Sequence, residues 1–509
     1  MVSVNRTKRS IANIGFSIVN RIVAMLLPFA VRTVIIYTIG IVYLGLDSLF
    51  TSVLSVLSLS ELGFSSAVIF SMYRPIAEGN DEKVKALLCF YKKIYRIVGS
   101  VILVAGIAIL PLLHYFIADG TDIPSNINIY IVYIVFLVNT SISYFLFAYK
   151  SSILVASMRN DIDSLFDTVR SIVSHCLQIV ILFLFKQYYL YILILPIITI
   201  LNDVIRNIYI NKKYPQYRGK SNLEKSEKKD IMTKVGALIG NKIGGVVFTS
   251  ADSIVISSFL GLITLAQFTN YFTIYTAVFG LISTIYNSIQ SVVGNSLVVN
   301  SKERNLKIFR VFFLINAVIT MLCTCLFITL YQPFIERWVG ATNVLPLEIP
   351  FLLAIYFFVR NSRRILVLFK EAAGMWKEDF LKPYISVVLN IGLNIFLVKT
   401  IGLPGVVISS IAAIAIVEIP WETHVFFKKY FGFKPTRYYL FLLLTSAVTI
   451  YAAFLCYTKC DAIGTGILGI ILKAIFTTAI CMIISLPFVL FTKEGQSIVA
   501  KIGSHLKRH

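Results

Sequence analysis

GFSIVNRIVAMLLPFAVRTVIIYTIGIVYL, residues Gly15–Leu44, returns in the second half of the chain as GALIGNKIGGVVFTSADSIVISSFLGLITL, residues Gly236–Leu265. Identical pairs include Gly15/Gly236, Ile18/Ile239, Asn20/Asn241, Ile22/Ile243, Ala30/Ala251, Ile35/Ile256, Gly40/Gly261 and Leu44/Leu265, and Arg21 faces Lys242. Chance alignment of two apolar runs pairs aliphatic residues; it does not by default pair Asn, Gly and a cation. Each copy leads into a second apolar run. Two similar membrane halves are a common build of secondary transporters, with the substrate held between the halves.

Composition points the same way. Of 509 residues, 57% are hydrophobic and 14% charged, and the mean hydropathy is +0.82. Soluble domains carry about 25% charged residues. Apolar runs of spanning length recur from end to end, about fourteen by the length criterion. They include 13–39, 44–72, 232–259 and 263–294. The expected fold is all-α and polytopic, with two six-helix lobes and a C-terminal helix pair. A membrane β-barrel would instead show short alternating segments. MVSVNRTKRS is basic, but no small-residue cleavage site follows a short apolar core, so no cleaved signal peptide is expected.

The net charge of +22 would suggest nucleic acid in a soluble protein. Here the cations gather in alternate loops: Arg6, Lys8 and Arg9; Arg74, Lys83 and Lys85; Lys150 and Arg159; NKKYPQYRGKSNLEKSEKKD (211–230); Lys302, Arg304 and Lys307; Arg360, Arg363, Arg364 and Lys370; Lys428 and Lys429; Lys493, Lys501 and Lys507. That is the positive-inside pattern. It predicts a multi-pass protein of the cytoplasmic membrane with both termini cytoplasmic, and it argues against nucleic acid as a partner. The expected division is an N-terminal lobe over 1–212, a second lobe over 213–430 with a cytoplasmic linker at 213–230, and a helix pair with tail over 431–509.

Polar groups inside a bilayer are expensive and mark function or pairing. Arg21 and Arg32 are eleven residues apart, within about 20° on a helix, with Pro28 on the same stripe. Arginine forks suit phosphate, so these two residues, with Lys242 of the repeat, are candidate cavity cations. The competing reading pairs Arg21 with a carboxylate and leaves Arg32 at the outer interface. Asp252 and Glu61 are either ion-coupling carboxylates or partners of those cations. Thr269, Thr273, Thr276, Gly280, Ser283, Asn287 and Ser291 form one helical stripe, and Ser48, Thr51, Ser55 and Ser58 another. With Asn20 and Asn241 they line a hydrated cavity or simply pack helices closely. Asp163, Asp167 and Arg170, and Asp203 and Arg206, are spaced for structural ion pairs. The seven cysteines lie mostly in apolar runs and read as packing. Cys456 and Cys460 leave a disulfide open, and no metal-ligand spacing appears. His114, His175 and His424 form no constellation, and no phosphate-binding P-loop occurs.

The run SVLSLSELGFSSA (Ser55–Ala67), followed by MYRPIAEGNDEK (Met72–Lys83), resembles the second span and following loop of bacterial polysaccharide repeat-unit flippases (the O-antigen, capsule and exopolysaccharide flippases). These belong to the multidrug/oligosaccharidyl-lipid/polysaccharide exporter superfamily. The 6 + 6 + 2 arrangement extends the likeness over nearly the whole chain. The resemblance implies alternating access by two bundles. It also implies a lipid-linked oligosaccharide as substrate, carried on undecaprenyl pyrophosphate, and a cationic cavity matching Arg21, Arg32 and Lys242. The polyprenyl tail would stay in the membrane lipid. No cofactor is implied beyond H+ or Na+ coupling; polysaccharide polymerase and glycosyltransferases are the implied partners. A drug exporter of the same superfamily would favour an anionic cavity. A membrane polymerase or glycosyltransferase would need a catalytic base on a loop, and the short outer loops offer none.

Overall fold

The structure is a computed structural model that describes residues 23, 25–58, 64–120, 123–375 and 378–497, without the side chains of 234 and 236–245. Among these residues every regular element is helical. They run α1 (Met25–Thr38), α2 (Ile41–Leu57), α3 (Phe64–Ala77), α4 (Asp81–Ile109), α5 (Ile129–Phe145), α6 (Ser151–Ala156), α7 (Asn160–Phe185) and α8 (Tyr188–Lys213). There follow α9 (Lys225–Val299), α10 (Lys302–Val339), α11 (Glu348–Ser362), α12 (Arg364–Ala372), α13 (Lys382–Ile401), α14 (Leu403–Ala413), α15 (Ile419–His424), α16 (Thr436–Cys460) and α17 (Ile467–Phe491).

Nine of the described helices are long and apolar enough to span a membrane, or ten if α5 and the 148–156 stretch, bent by 50°, are one span. Where their residues are described, the expected spans fall on one of these helices, on a helix pair, or on one leg of α9. The chain is therefore an all-α, multi-pass membrane protein. Large apolar side chains stay exposed along these helices, among them Leu184, Val388, Leu443 and Ile467, as a lipid surround permits and water does not.

Local sequence sets the breaks. Asn80 caps α4, its side chain accepting from the Lys83 N–H at 3.0 Å, and Asp81 and Glu82 favour the positive helix start. The repeat written in the sequence is repeated in the backbone. Gly40 joins α1 to α2 at φ 112, ψ 160, and its counterpart Gly261 breaks α9 into two legs at φ 87, ψ 172. Only glycine enters that region freely. Gly261→Ala should cost about 1–3 kcal/mol through backbone strain alone, read as lower thermal stability of the purified protein; Leu260→Ala is the control.

Contacts divide the chain into two compact units, Met1–Ala266 and Gln267–His509. In the first, α5 packs on α4 and α8, α7 packs on α8, and α3 lies against α4 and α6. The start of the second leg of α9 approaches α2 so closely that a Cβ on Gly45 would lie 2.3 Å from the Leu262 carbonyl oxygen. In the second unit α10 is the hub for α11, α16 and α17, and α14 packs on α11 and α13. Two π-helical stretches, Ile414–Glu418 and Val425–Phe431, flank α15.

Candidate functional site

In the first unit, the charge on α1 is met from α2 and α8. Asp47 accepts hydrogen bonds from the Tyr188 hydroxyl at 2.5 Å and the Tyr191 hydroxyl at 2.9 Å. Arg32 is half-buried within electrostatic reach of Asp47 and Tyr191. The Tyr43 ring lies 4.9 Å from that of Tyr188, and its hydroxyl donates to Asn126 Oδ1 at 3.3 Å. Both carboxylate oxygens are thus held and a cation stands beside them. Such a set can orient an anion, exchange a proton, or simply neutralise Arg32. Asp47 was missed in the sequence, although an acid inside the apolar run GIVYLGLDSLF is a signal for it.

The other expected residues divide as follows. Arg21, Asn20 and Glu61 lie outside the described residues. Lys242 and Asn241 lie on the first leg of α9, where side chains are not described. Asp252 is buried, 7% exposed. The Ser55, Thr273 and Thr276 hydroxyls donate to backbone carbonyls of their own helices, those of Thr51, Thr269 and Thr273. Asn287 is exposed, and its Oδ1 accepts from Arg364 at 2.9 Å.

That last contact leads to a second set of charges, in the second unit. Arg360 donates to the Tyr356 hydroxyl at 2.5 Å and lies 5.2 Å over the Phe279 ring. Arg360 and Arg364 therefore flank the polar stripe of the second leg of α9. Behind them is a charge-balanced node. Glu422 is fully buried, and Arg363 Nη1 reaches both its oxygens at 2.6 and 2.7 Å. Lys382 pairs with Glu422 and, at 3.0 Å, with Asp379. Lys370 pairs with Asp379, and Arg363 pairs with Glu418. Their basic stretch marks Arg363 and Lys370 as loop cations, but the fold encloses both in ion pairs. The signal was Glu418 and Glu422, four residues apart in an apolar run, one helical face that demands cationic partners.

One smaller expectation changes, and one left open is decided. Arg206 on α8 reaches across to α7, to Asp167 at 2.6 Å and Asp163 at 3.6 Å; the i,i+4 spacing puts both acids on one face for a neighbour rather than pairing them within α7. Cys456 and Cys460 are free thiols, and Cys460 meets the Thr477 hydroxyl at 3.6 Å.

The described residues form a polytopic helical membrane fold with a repeated glycine hinge and charged side chains among its apolar helices. Residues 10–290 match the sequence model of a family described as polysaccharide biosynthesis protein, and the chain belongs to that family. No curated protein matches the chain. Among solved structures, the lipid II flippase MurJ in an inward closed conformation aligns with TM-score 0.68 at 15% identity, over 93% of this chain and 98% of that one. An inward-facing multidrug resistance transporter of the MATE family and MOP superfamily aligns with TM-score 0.59 at 16% identity, over 79% of this chain and 94% of that one. A MOP superfamily transporter from Pyrococcus furiosus, noted for the reverse polarity of its binding pocket, gives 0.51 at 14%, over 82% and 96% of the two chains. At these identities the likeness establishes a shared fold.

Proposed function

We propose that the protein is a flippase that carries undecaprenyl-pyrophosphate-linked oligosaccharide repeat units from the cytoplasmic to the outer leaflet, for surface polysaccharide synthesis. The observation that supports this reading is cationic: within a polysaccharide biosynthesis family, Arg32 lies on the apolar helix α1 beside Asp47, and Arg364 reaches Asn287 on the polar stripe of the second leg of α9. Such cations suit a pyrophosphate head. Arg21 and Lys242 extend the set from the repeat. The polyprenyl tail stays in lipid while the head crosses between two six-helix lobes that alternate in access. H+ or Na+ coupling has Asp47, Asp252 and Glu61 as candidate carboxylates. The protein sits in the cytoplasmic membrane with both termini inside, working beside polysaccharide polymerase and glycosyltransferases. Export of cationic drugs is disfavoured because it calls for an anionic pocket.

The test is depletion of the protein in cells that make a surface polysaccharide. Lipid-linked oligosaccharide should accumulate, resistant to a sugar-binding or hydrolytic probe applied from outside, while surface polymer falls. Unchanged polymer, with drug sensitivity appearing instead, would replace this reading by the drug-exporter one.

A further inference from the structure

Around α10, α16 and α17 the fold assembles a set of donors that no chemistry above uses. Cys325, Cys456 and Cys481 come from the three different helices. All three are buried, and their sulfurs lie within 4.8 Å of one another. Met321 and Ala452 complete the cluster, and Leu322, Val448, Ala453, Ile480 and Ile484 surround it. On one side the Thr329 and Thr477 hydroxyls meet at 3.2 Å. On the other a cavity of about 20 Å³, lined by Met321, Val448, Thr449 and Ser485 among others, opens between the same helices. That is room for one water-sized molecule.

Close packing alone asks only for small apolar side chains, and Ala452 beside the trio serves that purpose. Three soft donors converging on one point are the ligand set of a three-coordinate thiophile. Charge then decides which one. The shell is apolar, so a net charge left there is costly. A monovalent ion on three thiolates leaves two negative charges, and a divalent ion leaves one. Lys473, the nearest basic residue along α17, is eight positions from Cys481, roughly 12 Å of rise, and Lys459, three positions from Cys456 on α16, is exposed rather than turned into the cluster. A trivalent centre leaves none.

We propose that Cys325, Cys456 and Cys481 form a binding site for a small, neutral, trivalent thiophile of the arsenite class, and that its occupation fastens the terminal helix pair α16–α17 to α10. The exchange balances without an oxidant: As(OH)3 and three thiols give the tris-thiolate and three waters. Three As–O bonds break, three As–S bonds form, and each thiol proton leaves on a hydroxyl. The incoming species is neutral, as the apolar shell of Leu322, Val448, Ala453, Ile480 and Ile484 requires.

The experiment uses the full-length protein, purified under reducing conditions in detergent and incubated with arsenite. Intact mass spectrometry should show one adduct per chain, heavier by one arsenic less three hydrogens. X-ray absorption should give three sulfur neighbours around arsenic. The thermal midpoint should rise with arsenite concentration, because the trio exists only in the folded state. Cys325→Ala, Cys456→Ala and Cys481→Ala should each weaken uptake by on the order of 10²-fold, the loss of one arm of a multidentate attachment. Cys89→Ala and Cys176→Ala should leave it unchanged. Folded wild-type protein that takes up no arsenic, or that binds it through fewer than three sulfurs, overturns the proposal. So does uptake that persists in the folded triple variant.

Discussion

Glu422→Gln should lower stability by roughly 3–5 kcal/mol, the cost of removing one partner from a buried ion pair. Glu422 is completely enclosed, and Arg363, Lys382 and Lys370 are all directed at it or at its neighbour Asp379. With the carboxylate gone, Arg363 retains Glu418 but three cations face two acids in an apolar surround. The loss should appear as a fall in thermal midpoint and in the yield of monodisperse protein, with transport falling only in proportion to folded protein. Glu422→Asp keeps the charge and should recover part of the midpoint. A Glu422→Gln protein as stable as wild type would show that water reaches the node. It would also open Arg363 to a substrate role.

The second large effect concerns Arg32 and Arg21. A charge-assisted hydrogen bond to an anionic head is worth on the order of 1.5–3 kcal/mol, so each arginine that grips pyrophosphate changes apparent affinity by roughly tenfold or more. Arg→Lys at these positions should keep part of the activity, and the Arg21→Ala, Arg32→Ala double variant should lose most of it. For Arg32 the neighbouring Asp47 supplies a sharper test. If Arg32 only neutralises Asp47, then Arg32→Ala leaves an uncompensated carboxylate, and adding Asp47→Asn restores transport. If Arg32 holds substrate, the Arg32→Ala, Asp47→Asn pair stays inactive. The readout is inner-leaflet accumulation of lipid-linked oligosaccharide in cells with matched levels of inserted protein. Full export by the Arg21→Ala, Arg32→Ala variant would remove electrostatics from the mechanism.

Long apolar runs with polar interruptions made the helical membrane fold legible, because a bilayer forces the backbone to satisfy itself within each helix. The internal repeat was legible for a related reason. Gly40 and Gly261 occupy the same unusual backbone conformation, and a position that only glycine tolerates leaves a mark in sequence. The polar stripe through Asn287 was readable as a helical face, since periodicity is local.

What the sequence could not supply was partnership. Which acid meets Arg32, which cations surround Glu422 and which thiols converge are set by helix packing, between residues far apart in the chain. Arg363 in a basic stretch looks like a solvated loop charge until α15 is laid against α12. Asp167 and Arg170 look like an i,i+3 pair until α8 brings Arg206 to the same acid. Cys325, Cys456 and Cys481 show no motif spacing, yet three helices place their sulfurs together. The sequence by itself determined the membrane class, the spans and the family likeness, because hydropathy and glycine hinges act within a few residues. Only the tertiary structure decided which charged and sulfur-bearing side chains face one another, because that depends on the rotation of each helix about its own axis, and packing alone sets it.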